Sequence, residues 1–183
     1  MINSNTLTYR NIINTRTLFW STMSLACAFL VGLSAWVRIP MPGTPVPVTL
    51  QTFALLASAG VLGRYYAVQM AAWYILLGLA GLPFFSGGSG LAHLASPTGG
   101  YIAGFLMAAG IVGFLDSSSK RWYARMLVFI IATIAIYVPG LVQLHLATGF
   151  SLRQTVATGF IPFIIYDIIK ALAAWRISSA IRH

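Results

Sequence analysis

The sequence predicts an all-α integral membrane protein, a bundle of six transmembrane helices with both termini in the cytoplasm. Three observations carry that expectation. Of the 183 residues, 58% are hydrophobic and only 7% are charged, whereas a soluble domain carries about 25% charged residues and needs them to cover its surface. Apolar runs of roughly 20 residues, the length that crosses a bilayer, recur along the chain. The sparse cations alternate between the intervening loops as membrane orientation requires.

Residues 1–17 are polar and include Arg10 and Arg16; they read as a cytoplasmic N-terminal segment. The first span follows at about 18–37. Its apolar core is longer than the roughly 7–15 residues of a secretory signal, so it reads as a retained helix rather than a cleaved leader. Cys27 is the single cysteine and reads as packing. The second and third spans, about 48–63 and 65–82, are divided at Gly63–Arg64, where glycine favours a helix C-terminus. The fourth, about 98–115, stops before the hydrophilic run "DSSSKRWYAR". The fifth and sixth cover about 125–147 and 161–180, completing a membrane domain over 18–180. With the termini inside, Arg10, Arg16, Arg64, Lys120, Arg121, Arg125, Arg176 and Arg182 fall on the cytoplasmic side. Arg38 and Arg153 fall outside, and Lys170 lies within a span. Positive loops stay cytoplasmic.

The outer loops differ in character from the inner ones. "RIPMPGTPVPVT" (38–49) holds four of the eight prolines, and "LPFFSGGSGLAHLASPTGGY" (82–101) holds five glycines between Gly87 and Gly100. Proline fixes φ and stiffens the first loop. Irregular backbone near a membrane is tolerated where it is buried or lines a cavity, so these loops are expected to cover a pocket; plain connections are the alternative. The third outer loop contains "SLRQTVAT", which suits a short surface helix.

The polar residues inside apolar runs locate the expected site. Asp167 is one of only two acids, and Lys170 stands three positions later in "FIIYDIIKAL". On a helix the two share a face. Charges within a membrane face the bundle interior or a wet cavity, and a lone i,i+3 pair leaves carboxylate lone pairs and ammonium protons for a solute. Thr49, Gln51 and Thr52 open the second span, although Thr49 equally suits an ordinary N-cap. Thr98, Gly99, Gly100 and Tyr101 open the fourth span, where free N–H groups can hold an anion. Phe84, Phe85 and Tyr101 suit the wall of a flat solute. His93 reads as either a loop residue or a ligand contact. No phosphate-binding loop, HExxH, CxxC or GxSxG occurs, and two acids cannot furnish a metal-dependent site; neither catalysis, metal nor cofactor is expected, nor is nucleic acid as a partner despite the net charge of +9.

"RIPMPGTPVPVTLQTFALLASAGVLG", "LLGLAGLPFFSGGSGL", "PTGGYIAGF" and "GFIPFIIYDIIKALAA" occur in that order. Together they resemble the BioY family, the biotin-specific substrate-capture (S) components of energy-coupling-factor (ECF) transporters. The resemblance covers roughly residues 18–180. It implies six helices in the cytoplasmic membrane of a bacterium, biotin held near the outer face, and partnership with a transmembrane coupling (T) subunit and two ABC ATPases. The family's polar pair falls on Asp167 and Lys170, and its PTGGY segment on Pro97 to Tyr101. Tyr166 stands where many relatives have glycine. No cation for the biotin carboxylate is evident beside PTGGY, leaving His93 or backbone N–H groups. The family's small-residue coupling motif corresponds in spacing to Ser24, Ala28 and Gly32, which are expected to pack on a partner helix. The competing expectations are capture of another small vitamin and a structural subunit without a solute.

Overall fold

The computed structural model describes residues 4–116 and 121–182, with the side chains of 15–116 and 121–181. Lys120 and the other residues of 117–120 lie outside the described part, as do the side chains of Arg10 and Arg182 on which the orientation expectation also rests. Eight helices and one two-stranded ribbon make up the described residues.

α1 covers Ser4–Ser34, so the helix begins well before the apolar run at Leu18; polar residues propagate a helix once it is nucleated, and hydropathy does not mark its start. The proline-rich loop is not structureless. Arg38–Ile39 (β1) and Val48–Thr49 (β2) pair antiparallel, with Arg38 opposite Thr49 and Ile39 opposite Val48. α2 (Gln51–Leu62) and α3 (Arg64–Leu79) are separated at Gly63. Gly63 takes a positive φ of 68° and donates its N–H to Ala59 O at 2.9 Å, closing α2 and starting α3. α4 is the short Gly90–Leu94, and α5 runs from Gly99 to Leu115. α6 spans Trp122–Thr148 and carries Pro139 internally. α7 (Leu152–Gly159) is the short helix expected in the third outer loop, opened by a capping box between Ser151 and Gln154. α8 covers Ile164–Arg182. Its start lies beyond Pro162, in the turn where the sequence suggested a first helical position; Phe163 and Ile164 both donate to Phe160 O instead.

α2 is the hub. It touches α1, α3, α5, α6 and α8, and nearly every residue along it is buried. Leu55, Leu56 and Ala59 pack with Val31, Met70, Phe105, Phe129 and Ala171 in one core. A smaller cluster of Val46, Tyr137, Leu144 and Phe163 ties the ribbon to α6 and the 160–163 turn. At the far end from the ribbon, Arg125 Nε donates to a buried Asp116 oxygen at 2.7 Å, clasping α5 to α6.

By length and hydropathy, α1 (from Thr15) and α6 suffice to cross a membrane, and α7 with α8 form a pair bent by 47° that passes together. α2 and α5 are apolar but shorter. At 1.5 Å per residue α2 rises only about 18 Å, and the ribbon and the 82–98 loop continue the wall beyond it.

Candidate functional site

Asp167 lies in the first turn of α8, where a carboxylate meets the positive end of the helix dipole. This is closer to the helix start than the sequence suggested, about 4–5 Å along the axis, with Lys170 at about 9 Å. One Asp167 oxygen accepts from Lys170 Nζ at 2.8 Å, and the other from the Tyr137 hydroxyl at 2.5 Å. Lys170 also donates to the Thr49 carbonyl at 2.7 Å. The pair thus joins α8, α6 and β2. Each charge has a protein partner beyond the other, yet a carboxylate offers about four lone-pair sites, so acceptor capacity remains on Asp167.

The pair forms part of the wall of an open cavity of about 620 Å³, its mouth included. Thr49, Gln51, Thr52, Thr98, Tyr101 and His93 also line it. The apolar part of the wall is Val46, Pro47, Val48, Ile102, Phe105, Ile136 and Phe163, and Ser86 and Tyr137 complete it. Local packing places these groups. Tyr101 donates its hydroxyl to Gly159 O at 2.9 Å. A Cβ on Gly140 would lie 2.5 Å from the Tyr101 ring and one on Gly159 2.7 Å from its hydroxyl, so these glycines make the tyrosine's seat. Gln51 donates to Tyr74 Oη at 2.8 Å and to Phe84 O at 3.0 Å, which commits its amide nitrogen to the fold. His93 stacks on Phe85 with ring centroids 5.5 Å apart, and its Nε2 sits 3.4 Å from Thr98 Oγ1. Burial pushes the His93 pKa below its ordinary value, favouring the neutral ring. Thr49 is not an N-cap: Leu50 occupies that position, with no side-chain cap.

Some expected residues lie elsewhere. Gly99 and Gly100 are outside the lining. A Cβ at Gly99 would fall on the Leu94 carbonyl, and one at Gly100 on the Pro139 carbonyl, so these glycines serve close contact with the preceding loop and with α6. The N–H groups of Gly99 and Tyr101 donate to Ser96 O and Thr98 O, so these two amides are engaged in the turn. Phe84 and Phe85 also stand behind the wall. Phe85 is enclosed by Tyr74 and Gly78, and Phe84 lies on Gly32. The Ser24, Ala28, Gly32 stripe is likewise not free for a partner. Ser24 and Ala28 are fully buried within the chain, and a Cβ on Gly32 would meet the Phe84 ring at 2.3 Å. Small residues let α1 approach α2 and α3, and the exposed side of α1 carries Phe19, Met23, Leu30 and Leu33 instead.

Tyr137, Ser86 and Phe163 were not singled out from sequence. Tyr137 had a usable signal, since it is a polar-tipped aromatic inside a span, as Tyr101 is. Among the described residues no group of His, Cys, Asp and Glu is arranged to hold a metal ion.

A family model described as the BioY family matches residues 5–183. The biotin transporter BioY of Thermotoga maritima is 39% identical over 147 residues, covering 79% of this chain and 85% of that protein. The probable biotin transporter BioY of Pyrococcus horikoshii is 35% identical over 153 residues, covering 83% and 90%. A crystal structure of the S-component for biotin from an ECF-type ABC transporter superposes with a TM-score of 0.84 at 26% identity, over 92% of this chain and 93% of that one. With its sequence matched along nearly its whole length and its helices superposing on that structure, the chain belongs to the BioY family.

Proposed function

We propose that the chain captures biotin as the membrane-embedded S component of an ECF-type ABC transporter, binding the vitamin without transforming it. The observation that carries this reading is the Asp167–Lys170 pair in the cavity wall beside Phe105, Ile136 and Phe163. Biotin's ureido ring has two N–H donors and a carbonyl acceptor. The carboxylate of Asp167 accepts the first and the ammonium of Lys170 donates to the second. The thiophane ring and valeryl chain lie on the apolar wall, with Thr49, Gln51, Thr98, Tyr101 and His93 around them. A cavity of this kind, apolar with a few convergent polar groups, suits a small-molecule ligand.

In the membrane, α1, α2, α3, α5, α6 and α8 are the six spans, and α4 and α7 sit in the outer loops. The excess of Arg and Lys in the inner loops puts the N-terminal segment and the C-terminus in the cytoplasm and the cavity at the outer face of the bacterial cytoplasmic membrane. Delivery inward then requires a T subunit and two ABC ATPases, because the chain has no phosphate-binding loop of its own. The decisive experiment is isothermal titration of the purified chain with biotin and with a chemically unrelated vitamin. Saturable one-to-one binding of biotin alone is expected. No binding of either vitamin supports a structural subunit, and preference for the other vitamin supports a different cargo.

A further inference from the structure

The pocket's charge balance is incomplete for an anionic ligand. Lys170 is neutralised by Asp167. The His93 ring, pushed toward its neutral form by burial, is a weak candidate for an ionic partner. Arg38 is different. The register of the ribbon sets it opposite Thr49, and directly opposed residues project from the same face of a two-stranded ribbon. Thr49 lines the cavity, and Arg38 itself stands outside that lining. Arg38 is exposed, and its guanidinium reaches across to the 82–89 loop, where a Cβ built on Gly87 would lie 2.9 Å from Nη1. Gly87 also holds a positive φ of 105°, a conformation that favours glycine. The chain's two acids, Asp116 and Asp167, are paired with Arg125 and Lys170. Among the described residues, therefore, no Asp or Glu neutralises Arg38. Its loop neighbour Ser86 lines the cavity with a buried Oγ that has no hydrogen-bond partner. A buried hydroxyl without a partner is costly and uncommon in a native structure.

We propose that Arg38 and Ser86 form an anion subsite where the ribbon meets the 82–89 loop, and that it takes the ligand's carboxylate. This rests on the biotin reading above. With the ureido ring at Asp167 and Lys170, the valerate chain points its carboxylate away from that pair. A guanidinium matches a carboxylate in a two-pronged hydrogen bond, and the Ser86 hydroxyl supplies a further donor. The ribbon would therefore act as part of the binding site through its own side chain, and not only as a cover.

The experiment compares biotin with biotinamide, its uncharged carboxamide, by titration of the purified full chain and of Arg38→Gln, Arg38→Lys and Ser86→Ala variants. The wild type should favour biotin by about tenfold or more, as expected for a charge-assisted hydrogen bond. Arg38→Gln should lower biotin affinity far more than biotinamide affinity and so abolish that preference, with an unchanged melting temperature certifying its fold. Arg38→Lys should keep part of the preference, and Ser86→Ala should lower it. Since Arg38 is exposed, added salt should narrow the wild-type preference. An unchanged preference in Arg38→Gln overturns the subsite, as does an equal loss of both ligands, which would make Arg38 a support of the fold. If the wild type binds neither ligand, the biotin reading itself fails and the subsite with it.

Discussion

Replacing Asp167 with asparagine tests the heart of the site. The substitution keeps the size but removes one acceptor oxygen and the charge. In the structure the two oxygens already serve separate donors, Lys170 at 2.8 Å and Tyr137 at 2.5 Å. An asparagine can satisfy only one of them with its oxygen. The less costly orientation keeps the oxygen on the ammonium and turns the NH₂ group toward Tyr137, whose hydroxyl must then give its proton elsewhere. The ureido N–H groups meet a neutral amide in place of a carboxylate. Loss of a charge-assisted hydrogen bond costs about 1.5–3 kcal/mol, which is roughly a tenfold to hundredfold loss of biotin affinity at about 1.4 kcal/mol per decade. Because the internal partners are disturbed too, the melting temperature should fall as well. Titration calorimetry and thermal unfolding of the same detergent-purified sample read both quantities. Lowered stability with unchanged affinity would refute the placement of Asp167 against the ligand and leave the pair a purely internal tie between α8, α6 and the ribbon.

Tyr137→Phe removes one neutral donor and should weaken biotin binding by less than Asp167→Asn, within about tenfold, again by titration. Gly100→Ala puts a Cβ 2.2 Å from the Pro139 carbonyl, and Gly32→Leu drives a side chain into the Phe84 ring; both should lower the melting temperature, while Ala at the open Gly43 position tests glycine's backbone freedom without a clash. Asp116→Asn replaces the buried carboxylate that Arg125 meets with a neutral amide and should cost up to about 3 kcal/mol, seen in thermal unfolding with biotin affinity unaltered in the folded fraction. A reporter fused after His183 should be active only in the cytoplasm, and periplasmic or surface activity would overturn the orientation.

The pair Asp167–Lys170 was legible in sequence because two charges inside an apolar run are expensive and stand out against it. The division of α2 from α3 was legible because Gly63 does something other residues avoid. Other features were hidden by a shared ambiguity. A stripe of small residues records close approach but not what approaches: Ser24, Ala28 and Gly32 pack within this chain, Gly32 against Phe84. Gly99 and Gly100 carry the same ambiguity, since a glycine that admits a neighbouring carbonyl looks identical in sequence to one that bares an amide. Tyr137 and Ser86 were overlooked because their role depends on which face of α6 and which edge of a loop meet the cavity, and that is set by packing over long sequence separations. The β1–β2 ribbon is too short to leave a periodic pattern, and its prolines argue against strand structure until the register is seen.

The wall of the cavity has unequal parts. α5 and α8 hold their amides in helical ladders, as does α6 but for Pro139, while the ribbon has two residues per strand and the 82–89 loop has one reciprocal backbone pair, between Phe85 and Gly88. Such short ladders open locally at far lower cost than a helix buried in a bundle. Solvent deuterium should therefore enter the backbone of 38–49 and 82–89 early, even while the surrounding helices stay protected. A ligand touching both segments must close them together, and at a hundred times its dissociation constant it can add up to about 2.7 kcal/mol to that closed state. Slowed exchange in two stretches far apart in sequence, in step with occupancy, would make these amides a label-free gauge of cargo in the native membrane, where a melting curve cannot be read.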